Sequence, residues 1–181
     1  MFDVFLMQGP SGSGKSKCAN MMKDAAMDAG YITSILSADD YFRDDSGNYN
    51  FNPRLLNRAH MSVVTRAFRL MNHAADDDNG SYRIIIDNTH METWEWEAIS
   101  VIAHELGARR IVLQGADILY PFDEFNAQDH DSLDIMARLL HHRQDKGMDY
   151  SIILRQLLKY KESGGEMPPY VEVRTFNTGL I

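Results

Sequence analysis

The 181-residue sequence predicts an α/β protein with a parallel sheet covered by helices on both faces. Three observations predict this. A short apolar run, residues 2–7, leads directly into a glycine-rich turn, and that turn opens a helical pattern. Strand-like and helical stretches then alternate along the chain. Gly9, Asp39 and Asp87 all fall at the C-terminal ends of candidate strands, where open α/β sheets bind their ligands.

The elements follow in order. Residues 2–7 form a buried first strand. Gly9-Pro10-Ser11-Gly12-Ser13-Gly14-Lys15-Ser16 is a complete GxxxxGK[ST] phosphate loop, and residues 15–29 read as a helix. Its apolar stripe is Cys18, Ala19, Met22, Ala25, Ala26 and Ala29. Gly30 closes the segment, and residues 31–36 make a second strand that ends at Ser37-Ala38-Asp39-Asp40-Tyr41-Phe42. Residues 44–50 are polar and turn-rich. Pro53 suits the first turn of a long helix reaching about Ala75, whose apolar face carries Leu56, Ala59, His60, Val63, Ala67, Leu70 and Met71. The acidic run 76–80 is a solvated turn. Residues 82–86 form a β-branched strand ending in Asp87. Thr89 and Glu92 stand at capping-box spacing before a helix over about 93–106. Gly107 stops it ahead of a fourth strand, 109–114.

The remainder is less regular. Residues 122–131 read as a polar loop, with helical patterns at about 132–142 and 150–161. Gly164-Gly165 and Pro168-Pro169 set off a last extended piece, 170–176. Length and composition predict one domain over residues 1–181, with a helical segment at about 132–162 and a C-terminal extension at 163–181.

Hydrophobic residues at 44% and charged residues at 24% are ordinary globular values, which argues against wholesale disorder. A formal charge of −8 argues against broad binding to long duplex nucleic acid, though it leaves room for a local basic groove. The single cysteine, Cys18, excludes an internal disulfide and a cysteine-rich zinc site, and fits a reducing compartment. No run has the roughly 18 apolar residues of a membrane span, and Met1-Phe2-Asp3 lacks the basic start of a signal peptide. The expectation is a soluble, cytoplasmic protein.

The phosphate loop predicts a nucleoside triphosphate, with ATP expected, and Mg²⁺. Backbone N–H groups of Gly9, Gly12, Ser13, Gly14, Lys15, Ser16 and Lys17 surround the phosphates, and the helix N-terminus adds positive potential. Lys15 reaches the β- and γ-phosphates, and the Ser16 hydroxyl is a Mg²⁺ ligand. Asp87, at a strand end, is a second candidate near the metal; the alternative is a structural cap.

With Asp39-Asp40-Tyr41-Phe42, Tyr49-x-Phe51-Asn52-Pro53, Ala59-His60, Ile86-Asp87-Asn88-Thr89 and Trp94-Glu95 following the loop in order, residues 2–162 resemble the polynucleotide-kinase-like P-loop kinases. The resemblance implies a three-layer P-loop kinase sandwich with a sheet of four to five strands and a helical lid near the C-terminus. It also implies phosphorylation of a nucleic-acid 5′-hydroxyl end, with Asp39 as general base. A carboxylate at a strand edge near the γ-phosphate suits that role. Asp40 turns toward the following loop or helps place substrate groups; a turn or helix cap is the bland reading of the pair.

Some positions depart from the family pattern. Phe42 stands where some of these kinases have an arginine, so Arg43, one position later, is a substitute candidate. Lys17 replaces a threonine, and His90 replaces an asparagine. The lid motif reads Arg143-Gln144-Asp145-Lys146-Gly147, which makes Arg143 a catalytic candidate, with Arg138 a second. Arg54, Arg58, Arg66 and Arg69 share a sector of about 120° of the long helix and are candidates to follow a strand's phosphates. A solvated helix face is the alternative. Trp94 and Trp96 are candidates to stack a base, with Trp94 favoured to pack its helix on the sheet. A kinase for a nucleoside or other small acceptor, and a nucleotide-binding protein with little or no turnover, are the competing functions.

Overall fold

The computed structural model describes residues 1–117, 130–144, 146–162 and 167–177. Its elements are β1 (Phe2–Gln8), α1 (Lys15–Asp28), β2 (Ile32–Leu36), α2 (Leu56–Asp76), β3 (Tyr82–Asp87), α3 (Trp94–Glu105), β4 (Arg110–Ala116), α4 (His130–Arg143), α5 (Tyr150–Glu162) and β5 (Val171–Phe176). Short 3₁₀ turns cover Ala38–Phe42 and Pro53–Leu55. The predicted loop at 122–131 lies mostly outside the described residues.

The strands form one parallel sheet in the order β2-β3-β1-β4-β5. β1 occupies the centre, and all seven of its residues are buried. Period-two alternation divides its side chains between two cores. Val4 and Leu6 join Ile84, Ile86, Ile111 and Leu113 against Ala59, Val63, Ala67 and Met71 of α2 and Trp96, Ile99 and Ala103 of α3. Phe5 and Met7 join Ile85 and Val112 against Ala19, Cys18 and Met22 of α1. A third cluster, Ala116, Leu133, Ala137, Leu140, Ile153 and Leu157, holds α4 and α5 together at the C-terminal end of β4. The last extended piece is therefore no appendage: Val171–Phe176 is the edge strand beside β4, in register from Ile111↔Val171 to Ala116↔Phe176.

Several sequence expectations needed correction. Ala25 and Ala29 of the α1 stripe are exposed, and the fully buried residues of the helix are Ala19 and Ala26, two turns apart on one face. Leu56, the first residue of α2, is exposed as well. The Thr89–Glu92 capping box does not form at α3; Glu95 reaches back instead and accepts from the Met91 amide at 2.7 Å. The tryptophans exchange roles: Trp96 is 2% exposed in the α2/α3 core and Trp94 is 65% exposed. Trp94 is the first residue of α3 and faces outward, whereas Trp96 is in register with Ile99 and Ala103. Trp96→Ala should therefore cost about 3–5 kcal/mol in urea denaturation, and Trp94→Ala about 0.5 kcal/mol or less. Among the described residues, no helix is long and apolar enough to cross a membrane.

Candidate active site

Two segments enter the site, one from the end of β1 and one from the end of β2, the two strands that flank β3. The phosphate loop leaves β1, where the Gly9 amide donates to Thr89 O at 2.9 Å and the Gln8 side-chain amide donates to His90 O at 3.0 Å. The loop therefore starts anchored to the segment after β3. Gly12 and Gly14 adopt φ of 83° and 89°, the left-handed region in which a Cβ is strained. Gly12 is constrained twice, because an added Cβ would also collide with the Leu140 carbonyl of α4. Gly14 starts α1 with no side-chain cap, and Cys18 is the first residue there to bond back, to Gly14 O at 3.0 Å. Helix geometry leaves the amides of Lys15, Ser16 and Lys17 without intrahelical acceptors, as an anion site requires.

Lys15 is half-buried in this loop and donates to Pro10 O at 3.0 Å. Burial lowers its ammonium from 10.5 to about 8, with the Asp87 and Asp39 carboxylates opposing that shift and Lys146 adding to it. Asp87 points one buried oxygen, Oδ1, into the site with no hydrogen-bond partner, and the Ser13 hydroxyl is similarly unpartnered. The Ser16 side chain is exposed at the start of α1. Half-buried lysine, open helix amides, hydroxyl and orphan carboxylate oxygen fit a Mg²⁺-bound triphosphate, with Ser16 and Asp87 as the residues to hold the metal. Among the described residues, no cluster of three or more His, Cys, Asp or Glu side chains offers a site made wholly of protein ligands.

The second segment is the 3₁₀ turn after β2. Ser37 caps it by accepting from the Asp39 amide, and its hydroxyl donates to Asp87 O at 2.9 Å. The Ala38 amide donates to Asn88 Oδ1 at 2.9 Å. The turn is thus fastened to β3, with the Asp39 carboxylate facing the phosphate loop side. Tyr49 donates its hydroxyl to Asp39 Oδ1 at 3.0 Å, and Lys146 forms an ion pair with Asp39 Oδ2. Burial, then the Asp39 charge, pushes the Tyr49 phenol above its usual value, so it remains a donor. Asp40 has a different role. Its carboxylate completes the Ser37 capping box and pairs with Arg66 at 3.5 Å.

The other site candidates are dispersed. Arg43 reaches Gly47 O at 3.4 Å and covers the Tyr49 ring at 5.6 Å, so it braces its own loop. Arg54, in the 3₁₀ turn before α2, and Arg58, in the first turn of α2, are exposed. Arg138 is 70% exposed and occupied by Asp134 at 2.7 Å on its own helix. Arg143 ends α4, and its side chain is exposed. Lys146, between α4 and α5, pairs with Asp39. Helix α5 touches the phosphate loop through Gln156, which accepts from the Ser11 amide at 2.9 Å, and the segment before α3 through Lys159, which pairs with Glu92 at 2.5 Å.

Sequence reasoning missed three residues here. Tyr49 and Gln156 are far from their partners in the chain; only the Tyr-x-Phe-Asn-Pro motif hinted at the first. His90 is the third. It sits at φ 46° with Nδ1 2.8 Å from Met7 O, and a carbonyl only accepts, so Nδ1 carries the proton. Burial lowers this imidazole to about 4, leaving Nε2 a buried acceptor with no partner.

Sheet order, phosphate loop and strand-end carboxylates together define an α/β protein with the P-loop kinase fold. The chain belongs to the AAA domain family designated AAA_33, whose model matches residues 4–117. Among solved structures, a sugar kinase from Janibacter sp. is similar at 13% identity and a TM-score of 0.52, covering 100% of this chain and 87% of that one. That likeness supports the fold. The Mycobacterium tuberculosis APS kinase in complex with AMPPNP and APS matches at 14% identity and a TM-score of 0.46, over 89% and 98% of the two chains. A deoxyadenosine kinase from M. mycoides with bound dATP matches at 11% identity and a TM-score of 0.42, over 98% and 92%.

Proposed function

We propose that this protein is a Mg²⁺- and ATP-dependent kinase that phosphorylates a polynucleotide 5′-hydroxyl end. The observation that supports it most is the Asp39 carboxylate, held by Tyr49 on the phosphate-loop side and close enough to Lys15 to affect its charge. When bound through Ser16 and Asp87, Mg²⁺ supplies charge neutralisation at the β- and γ-phosphoryl oxygens. Lys15 and the α1 amides hold the triphosphate. Asp39 accepts the proton of the attacking hydroxyl, Tyr49 keeps the carboxylate oriented, and the lid excludes water.

The polynucleotide acceptor is supported by the arginine sector of α2. Arg66 contacts Asp40, the neighbour of the base, so the sector begins beside the acceptor side of the site. Arg54, Arg58 and Arg69 extend it along an exposed face. One observation favours a small hydroxyl acceptor instead: the formal charge of −8. Incubation with γ-labelled ATP and Mg²⁺ against 5′-hydroxyl oligonucleotides and a nucleoside panel separates the two. Label on oligonucleotides is the expected result, and label confined to nucleosides would replace the acceptor. With Arg54 and Arg58 both changed to Gln, the oligonucleotide KM should rise. The slope of its log–log salt dependence should fall by about 1.4, or about 0.7 per lost phosphate contact. The ATP KM should be unaffected. A nucleoside KM that rises equally would point to damaged folding.

A further inference from the structure

We propose that Lys146 sets the preference for an acceptor hydroxyl over water, by occupying the base until an acceptor displaces it. This rests on the kinase reading above, with Asp39 as base. Both oxygens of the Asp39 carboxylate are engaged: Tyr49 holds Oδ1 and Lys146 holds Oδ2. Tyr49 lies ten residues from Asp39, on the same loop system, and is a permanent partner. Lys146 comes from the segment between α4 and α5, 107 residues away, and is an exchangeable one.

The placement of Lys146 gives it this role. Its ammonium lies close enough to Lys15 to lower that group's pKa, and 6.0 Å from the centre of the Tyr49 ring. It therefore stands near both the phosphate-loop cation and the Asp39 carboxylate. In transfer, the acceptor oxygen bonds to the γ-phosphorus and the bond from that phosphorus to the β–γ bridging oxygen breaks. ADP leaves, and the acceptor's proton passes to Asp39. Water in the same place yields inorganic phosphate by the same steps. With Lys146 on Oδ2, the oxygen that would take water's proton is covered. A polynucleotide end brings a phosphodiester anion within one nucleotide of its hydroxyl, and that anion offers the ammonium another partner. Water brings none.

The lid contacts support a resting state in which this cover is in place. Leu140 O lies against Gly12, Gln156 holds the Ser11 amide, and Lys159 holds Glu92, so α4 and α5 already rest on the site. The ion pair is partly solvated, with side chains 30% and 34% exposed, so its masking is severalfold rather than absolute.

The test compares acceptor-free Mg-ATP hydrolysis with oligonucleotide phosphorylation in the full-length protein, with Mg-ATP affinity by calorimetry as the folding control. Lys146→Met should raise acceptor-free hydrolysis about fivefold and lower the ratio of transfer to hydrolysis. Lys146→Arg, which keeps a cation, should restore the wild-type ratio. In the double variant Lys146→Met/Asp39→Asn, hydrolysis should fall back to that of Asp39→Asn alone. Unchanged hydrolysis in Lys146→Met would overturn the proposal and reduce the ion pair to a structural contact. A fall would also overturn it and place the cation on the transferring phosphoryl group. Hydrolysis needs no acceptor, so the two readings separate. A rise with no oligonucleotide labelled by any variant would remove the polynucleotide acceptor and keep the role of Lys146. Oligonucleotide labelling with unchanged hydrolysis would do the reverse.

Discussion

Asp39→Asn is expected to slow single-turnover phosphoryl transfer by about 10²- to 10⁴-fold, the usual cost of losing a general base. Asparagine keeps the shape and can still accept from Tyr49, but it cannot take the hydroxyl proton and loses the charge that pairs with Lys146. Loose phosphoryl-transfer transition states remove the proton late, which places the loss toward the lower end. Mg-ATP affinity should change little, because in the proposed mechanism the carboxylate serves the acceptor hydroxyl and not the triphosphate. Asp40→Asn is the control. Asp40 caps the Ser37 amide and pairs with a half-exposed Arg66, so its loss should loosen the turn and reduce the rate only mildly. Rapid-quench measurements of both variants, with calorimetry for nucleotide, decide the matter. Normal transfer in Asp39→Asn with collapse in Asp40→Asn would move the base to Asp40. Normal transfer in both would end the general-base assignment.

Lys15→Ala should weaken Mg-ATP binding by about 2–5 kcal/mol, the range for truncating one partner of a buried charge pair. That is roughly 30- to several-thousand-fold in affinity. Transfer should fall at least as far, since the same cation faces the γ-phosphoryl group. The pH dependence adds a signature. Burial places the free Lys15 ammonium at about 8, and bound phosphates raise it again. Affinity in the wild type is therefore fully present below that value and declines as pH climbs through it toward the higher, nucleotide-bound value. Calorimetry between pH 7 and 9.5 should show the decline in the wild type and none in Lys15→Ala. Tight binding that survives the substitution would mean that the loop does not hold the triphosphate.

Much of the fold was legible in the chain because its signals are local. The phosphate loop needs glycines at left-handed positions, and Gly12 and Gly14 stand there at φ of 83° and 89°. Strands β1, β3 and β4 are short apolar runs bounded by turn residues, and their boundaries came within about one or two residues of expectation. Errors gathered where side-chain direction depends on a partner. Trp94 and Trp96 are equally apolar and only two positions apart, so their order in the core follows from how α3 lies across α2, not from periodicity in a 12-residue helix. The Thr89–Glu92 spacing suited a cap, yet the Met91 amide went to Glu95, with Asn88 bonded to the Ala38 turn and His90 to Gln8 at the end of β1.

The sequence by itself determined that this protein has a phosphate-binding loop between a strand and a helix, with carboxylates Asp39 and Asp87 at later strand ends. Those features are set by backbone conformation and short-range pattern, which neighbouring residues dictate. Only the tertiary structure decided that Val171–Phe176 is the fifth strand, that Asp40 pairs with Arg66 while Asp39 accepts from Tyr49, and that Lys146 rather than Arg138 meets Asp39. Each of these depends on a partner ten to more than a hundred positions away. Hydrogen-bond geometry and charge pairing at such separations are fixed by how whole elements pack, a property that no local window of the chain contains.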